Sequence, residues 1–116
     1  MKKKNIVLIG FMGSGKTSIG IRLSYRMRRA VEDTDKLIER RMGKKISEIF
    51  ETEGEDYFRD LETKTLKDLI DRLQYHIIAV GGGTPVREEN RKLLRELGTV
   101  FYLKASPESI LYFWKK

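Results

Sequence analysis

The sequence predicts an α/β fold in which a parallel β-sheet carries helices on both faces. Short apolar runs alternate along the chain with segments whose apolar residues recur at helical spacing, as in β-α-β units. The first run leads through a glycine-rich octapeptide directly into a helical pattern, an arrangement typical of phosphate-binding loops. No repeat, low-complexity segment or linker interrupts the 116 residues, so one domain is expected over residues 1–116.

Four strands are expected, at residues 5–9, 30–33, 77–80 and 99–103, and the second has the weakest apolar pattern. Helices are expected at about 16–28, from 37 to 42, around 46–50, over 58–73, over 93–97, and from 106 to the last residues. Gly43 and Gly98 should end two of these helices, since glycine readily adopts the left-handed conformation of a helix cap. Ser106 as N-cap and Pro107 at the first helical position should begin the last one.

Composition narrows the classes of function. No apolar run approaches the ~20 residues of a membrane span, and the absence of cysteine excludes disulfides, thiolate metal sites and a cysteine nucleophile. A cytoplasmic protein without a membrane partner is therefore expected.

The net charge is +7, and the densest basic group is Arg22, Arg26, Arg28 and Arg29. Acidic residues are interleaved elsewhere and no nucleic-acid-binding motif is present, so no nucleic-acid partner is expected. Nucleic-acid binding that falls steeply with salt remains an alternative.

The octapeptide Gly10 to Thr17 fits the pattern G-x-x-x-x-G-K-[ST]. Its glycines allow backbone N–H groups to turn inward around a polyphosphate, and the start of the following helix adds a positive dipole. Lys16 should reach the β- and γ-phosphates, and the Thr17 hydroxyl should ligate Mg²⁺. The strand before the pattern and the helix after it support a nucleotide-binding loop.

Two further segments follow strand ends, where ligands bind in parallel sheets. In Asp33-Thr34-Asp35, one carboxylate could hold a metal through water while the other accepts the proton of an attacking hydroxyl. Alternatively, Asp35 is only a helix N-cap. Gly81-Gly82-Gly83 suits close approach of backbone N–H groups to a ligand, although a plain loop is also possible.

Arg59 and Glu62 lie one helical turn apart, so the carboxylate could fix the guanidinium in one rotamer. A fixed planar guanidinium suits recognition of a substrate carboxylate. The alternative is an ordinary surface ion pair.

Taken together, the order of these segments resembles that of shikimate kinases: the octapeptide, Asp-Thr-Asp, Glu53-Gly54-Glu55 leading to Phe58-Arg59-x-x-Glu62, and the triple glycine. The resemblance implies a P-loop NTPase-type kinase that moves the ATP γ-phosphoryl group to the 3-hydroxyl of shikimate, in aromatic amino-acid biosynthesis. The implied ATP-binding residues are Gly13, Ser14, Gly15, Lys16, Thr17 and Ser18. Thr17 and Asp33 would hold Mg²⁺, and Lys16 and Asp35 would be catalytic. The implied shikimate contacts are Asp35 to ring hydroxyls, Arg59 to the carboxylate, and the backbone of Gly82, flanked by Gly81 and Gly83. A monomer is expected.

The resemblance also implies later elements that have no counterpart before Lys116: a lid carrying an arginine, a last strand, a second substrate-binding arginine and an adenine-binding loop. Four strands are therefore expected, with weak transfer and weak nucleotide selectivity. A truncated, a minimised and a naturally lidless chain all remain open, and the first is favoured. A catalytically inactive nucleotide-binding module is the alternative function.

Overall fold

The sheet orders its strands β2-β3-β1-β4-β5. The computed structural model describes residues 5–10, 16–102 and 114–115. Its strands are β1 (Asn5–Gly10), β2 (Val31–Asp33), β3 (Ile77–Gly81), β4 (Gly98–Tyr102) and β5 (Trp114–Lys115). The first four run parallel, and β1 lies at the centre between β3 and β4.

Helices pack on both faces of this sheet. They are α1 (Lys16–Met27), α2 (Thr34–Met42), α3 (Ile46–Glu53), α4 (Glu55–Arg72) and α5 (Glu88–Leu97), with a 3₁₀ turn at Thr84–Val86. Val7 of β1 packs in a cluster with residues of α2, α4 and α5, whereas its neighbour Leu8 packs with Ile19 of α1 on the opposite face. This alternation follows from the period-2 geometry of a strand. No helix in the described part of the chain is long and apolar enough to cross a bilayer.

The predicted fold class is confirmed, and all four predicted strands are present as parallel strands. Gly43 caps α2 with a φ of 68°, as expected. One prediction at the carboxyl end is wrong: Trp114 was expected in a helix, but Trp114–Lys115 pairs antiparallel with β4 as a fifth strand. Two residues are too few to show a strand periodicity, and the Ser106–Pro107 signal marks only where a helix begins. The predicted start of that helix lies outside the described residues.

A buried amide joins three segments at the amino end of the sheet. Asn5 is 1% exposed; its Nδ2 donates to the carbonyl oxygens of Leu73 at 3.1 Å and Leu97 at 2.9 Å. Its Oδ1 accepts from the backbone N–H of His76 at 2.8 Å. Gly98 lies so close that a Cβ there would overlap the Asn5 carbonyl oxygen. Asn5 thus fixes the end of the sheet opposite to the predicted site.

Candidate active site

The strands that precede the three predicted site segments end at one edge of the sheet. In the parallel register Gly10 is level with Gly81, and Asp33 is level with Ala79. Strands β1, β2 and β3 therefore end at the same edge, and the residues that follow β2 and β3 lie there beside the end of β1. This is the edge at which parallel sheets bind ligands.

The phosphate-loop residues are described only in part. Gly13, Ser14 and Gly15 lie outside the described residues, whereas Lys16, Thr17 and Ser18 form the first turn of α1. The strand and the helix that should flank the loop are both present, as β1 and α1. No acidic residue occupies the first turn of α1, so the positive end of the helix dipole is not offset there. The ATP-binding roles of these six residues remain predictions.

Asp33 and Asp35 have separate positions at the start of α2. Asp33 is the N-cap, and its Oδ1 accepts from the backbone N–H of Lys36 at 3.1 Å. The alternative that Asp35 is the cap is therefore wrong. Asp35 lies half-buried in the first turn, and a Cβ built on Gly81 would be 3.3 Å from both of its carboxylate oxygens. Asp35 thus sits against the first glycine of the triplet.

Asp33 has a chemistry that fits a share in a Mg²⁺ site. Its Oδ1 caps α2, and no described residue hydrogen-bonds its Oδ2, which leaves a carboxylate oxygen for a hard cation or a cation-bound water. The described residues contain no group of three or more histidine, cysteine or acidic side chains that could hold a metal.

Arg59 is held by acidic residues of its own helix. Its Nη1 donates to Glu62 Oε1 at 2.7 Å, and its Nη2 is 3.5 Å from Glu55 Oε2. The side chains of Arg59 and Glu62 are only 16% and 3% exposed, so the alternative of an ordinary surface pair is wrong. Burial acts to lower the pKa of Arg59, but the hydrogen bond and charge of Glu62, aided by Glu55, outweigh it and raise the pKa. The guanidinium is therefore a permanent, oriented cation.

The triple glycine separates the two candidate binding groups. Asp35 packs against Gly81, and the guanidinium of Arg59 packs against Gly83. Gly82 lies half-buried between them. A carboxylate and a guanidinium thus lie at opposite ends of a short backbone segment that has no side chains. The arrangement can hold a small molecule carrying hydroxyls at one end and a carboxylate at the other.

Three buried polar residues next to Arg59 were not predicted from the sequence: Thr63, Thr84 and Asn90. The Thr84 hydroxyl donates to Glu62, and Asn90 joins Thr84 to Thr63. The sequence does carry a pattern that could have predicted the burial of Asn90. It lies four residues before Leu94 and seven before Leu97, on the buried face of α5.

Two further features do not include the candidate site residues. Arg26 is about 15 Å along the axis of α1 from Lys16, and Arg29 packs on the ring of Tyr75 at 5.2 Å. Arg26 and Arg29 therefore lie near or beyond the carboxyl end of α1, away from the start of that helix. A surface cleft of about 520 Å³ at the α2–α3 junction is lined by Lys36, Glu39, Arg40, Gly43, Lys44, Lys45 and Glu48. It contains none of the candidate site residues.

Comparison with known proteins shows which family this chain belongs to. A profile of the family described as shikimate kinase matches residues 12–116. The chain is 42% identical over 109 residues to a shikimate kinase of Dictyoglomus turgidum, covering 94% of this chain and 63% of that protein. It is 47% identical over 108 residues to one of Caldanaerobacter subterraneus subsp. tengcongensis, covering 93% and 63%.

A solved structure agrees with this comparison. The shikimate kinase of Acinetobacter baumannii, in complex with shikimate, superposes with a TM-score of 0.84 at 42% identity. The alignment covers 91% of this chain and 59% of that structure. The chain thus spans about three fifths of the length of these relatives.

Proposed function

Because the chain belongs to the shikimate kinase family, we propose that it binds ATP and shikimate and transfers the γ-phosphoryl group to the 3-hydroxyl of shikimate. The observation that carries this proposal is the placement of Asp35 and Arg59 at the two ends of the triple glycine. These two groups match the two functional ends of the substrate, its ring hydroxyls and its carboxylate.

The phosphates of ATP would lie at the start of α1. Backbone N–H groups of Gly13, Ser14 and Gly15, continued by Thr17 and Ser18, would surround the β- and γ-phosphates, as glycine-rich loops do. Lys16 would neutralise the charge that spreads over the transferred group. Thr17 and Asp33 would hold Mg²⁺, which supplies further neutralisation between the phosphate oxygens when it is bound.

Shikimate would lie across the glycine triplet. The Arg59 guanidinium would donate to the substrate carboxylate, and the N–H of Gly82 would give a second contact whose position does not depend on a rotamer. Asp35 would accept a hydrogen bond from the reacting ring hydroxyl. As the hydroxyl oxygen bonds to the γ-phosphorus and the bond to the ADP oxygen breaks, the hydroxyl proton would pass to the Asp35 carboxylate late in the transfer.

The direct test is ADP release by this chain with ATP, Mg²⁺ and one of three acceptors: shikimate, gluconate or a nucleoside monophosphate. Stimulation by shikimate alone is expected, because the site pairs a carboxylate-binding guanidinium with a hydroxyl-binding carboxylate. Equal stimulation by all three acceptors would contradict the proposal. ATP binding without turnover at high enzyme concentration would favour the inactive nucleotide-binding module.

We further propose that the protein acts in the cytoplasm as a monomer.

A further inference from the structure

A chain of buried hydrogen bonds runs behind Arg59. Arg59 Nη1 donates to Glu62 Oε1 at 2.7 Å, and the Thr84 hydroxyl donates to Glu62 Oε2 at 2.6 Å. Asn90 Nδ2 donates to the Thr84 carbonyl at 3.0 Å, and the Thr63 hydroxyl donates to Asn90 Oδ1 at 2.6 Å. Thr63 is next to Glu62 on α4, so the chain of bonds begins and ends on the same helix.

The donors and acceptors at Glu62, Thr84 and Asn90 can be arranged in only one way. The Thr84 carbonyl can only accept, so Asn90 must present its amide nitrogen there and its oxygen to Thr63. A carboxylate oxygen also only accepts, so the Thr84 hydroxyl must donate to Glu62. Glu62 consequently has both oxygens bound, one by Thr84 and one by Arg59. A network of this kind has a single low-energy arrangement.

Burial makes the arrangement rigid. Glu62 is 3% exposed, Thr84 1% and Asn90 0%, so water cannot replace a lost partner at low cost. Thr84 also begins the 3₁₀ turn that directly follows Gly83, and Pro85 restricts the backbone of that turn. Fixing Thr84 therefore fixes the glycine backbone and, through Glu62, the guanidinium of Arg59.

We propose that Thr84 and Asn90 are positioning residues for the substrate carboxylate. They fix the position of the Arg59 guanidinium relative to the backbone of the glycine triplet. The guanidinium and the N–H of Gly82 can then both contact the carboxylate without first becoming ordered. The proposal rests on the proposed function, since it assumes an acceptor that carries a carboxylate. A purely structural role, packing α5 against α4, would change stability without changing the preference for that carboxylate.

The test uses two variants of Thr84 and one matched control. Thr84→Val removes the hydroxyl with little change in volume, and Thr84→Ser restores it. Thr65→Val is the control, because Thr65 is a buried threonine of the same helix as Glu62 whose hydroxyl donates within that helix to the carbonyl of Leu61, at 2.7 Å. Thermal unfolding establishes that each variant is folded, and calorimetry without ATP measures binding of shikimate and of its uncharged methyl ester.

Thr84→Val should weaken shikimate binding about ten-fold, since a hydrogen bond to a buried charged group is lost. Binding of the methyl ester and of ATP should change less than about two-fold, and Thr84→Ser and Thr65→Val should bind shikimate as the unaltered chain does. Asn90→Asp, which places an oxygen against the Thr84 carbonyl, should resemble Thr84→Val. Equal losses for the acid and the ester, or an unchanged shikimate affinity in Thr84→Val, would overturn the positioning role.

A second readout separates this proposal from the proposed function. If the unaltered chain binds no shikimate, the proposed function fails, but the order of Arg59 can still be measured by ¹⁵N NMR of its guanidinium. Rotation of that group should be slow in the unaltered chain and in Thr65→Val, and faster in Thr84→Val. Identical rotation in all three would overturn the positioning role, whatever the substrate.

Discussion

The guanidinium of Arg59 packs directly against the backbone of Gly83. A Cβ placed on this glycine would be 2.6 Å from Arg59 Nη2 and 2.9 Å from Nη1. The φ and ψ angles of Gly83, −84° and −12°, are accessible to any residue. Glycine is therefore needed at this position because there is no room for a side chain, and not because of the backbone conformation. The position of the cation and the absence of a side chain at Gly83 therefore depend on each other.

Gly83→Ala should displace Arg59 while leaving the fold intact. The added methyl meets the guanidinium, whose displacement breaks its hydrogen bond to the buried Glu62, so the free energy of unfolding should fall by about 1–3 kcal/mol. Shikimate binding should weaken about ten-fold or more, because the guanidinium leaves its position. A double-mutant cycle with Arg59→Ala provides the control: once Arg59 is absent, Gly83→Ala should have little further effect on binding. Additive losses would show that Gly83 acts independently of Arg59.

Asp35→Asn should reduce phosphoryl transfer by roughly 10²–10⁴-fold, the usual contribution of a general base. The amide keeps the size of the side chain next to Gly81 but cannot accept the proton. Affinity for ATP, measured by calorimetry, should stay within about two-fold, since nucleotide binding does not use this group. A variant that retains most of its turnover would show that the proton passes elsewhere.

Asp33 combines a structural and a proposed metal-binding role, which two substitutions should separate. Asn is as good an N-cap as Asp, so Asp33→Asn should keep the stability of α2, whereas Asp33→Ala should cost about 1 kcal/mol in denaturant unfolding. Both should raise the Mg²⁺ concentration needed for half-maximal transfer, because both lose a charged oxygen. A normal Mg²⁺ requirement in Asp33→Asn would exclude Asp33 from the metal site.

The sequence predicted the parts of the fold that local patterns encode. Short apolar runs predicted the four parallel strands, of which the second had the weakest pattern, and the strand ends predicted where the site segments begin. It could not predict the pairing of Glu62 with Thr84, which lie 22 positions apart, or the contact of Arg59 with Gly83. Such contacts arise only when α4 and the segment after β3 pack together. For the same reason the sequence indicated only that Asn5 begins an apolar strand, although its amide binds two distant segments, at residues 73–76 and at Leu97.

Asn5→Ala should destabilise the protein by about 3 kcal/mol, because it removes the hydrogen-bond partner of one buried and two partly buried backbone groups. Gly98→Ala should be at least as damaging, since the new methyl would overlap the backbone of Asn5, which cannot move aside easily. Gly20→Ala is the matched control: its Cβ would make ordinary contacts of 3.7–3.8 Å inside α1. It should be neutral or stabilise by about 0.5–1 kcal/mol. Denaturant unfolding gives all three changes in the free energy of unfolding, from the shift in midpoint when the dependence on denaturant concentration is the same. A Gly98→Ala variant as stable as the unaltered chain would contradict the close packing at this end of the sheet.

Asp68 links α2 to α4 and should give the stability an acid-sensitive component. Its Oδ2 accepts from Arg41 Nη2 at 2.7 Å and from Arg72 Nε at 2.9 Å. The hydrogen bond from Arg41, with that from Arg72 and both positive charges, holds the pKa of Asp68 below its usual 3.8 despite some burial. A lowered pKa means that the unfolded chain takes up the proton at a higher pH than the folded chain does. The contribution of Asp68 to the free energy of unfolding is therefore complete above about pH 4, and it is lost as pH falls through the folded-state pKa.

Asp68→Asn should therefore lower the free energy of unfolding at pH 7 by about 0.5 kcal/mol, a small value because all three side chains are partly exposed. The difference between the two proteins should shrink below pH 4 and under high salt, which screens exposed pairs. Asp71→Asn controls for the loss of one negative charge from α4, since Asp71 forms no ion pair with a described residue. Urea unfolding at several pH values provides the measurement. A difference that persists undiminished at the lowest pH would mean that Asp68 acts through packing rather than through its charge.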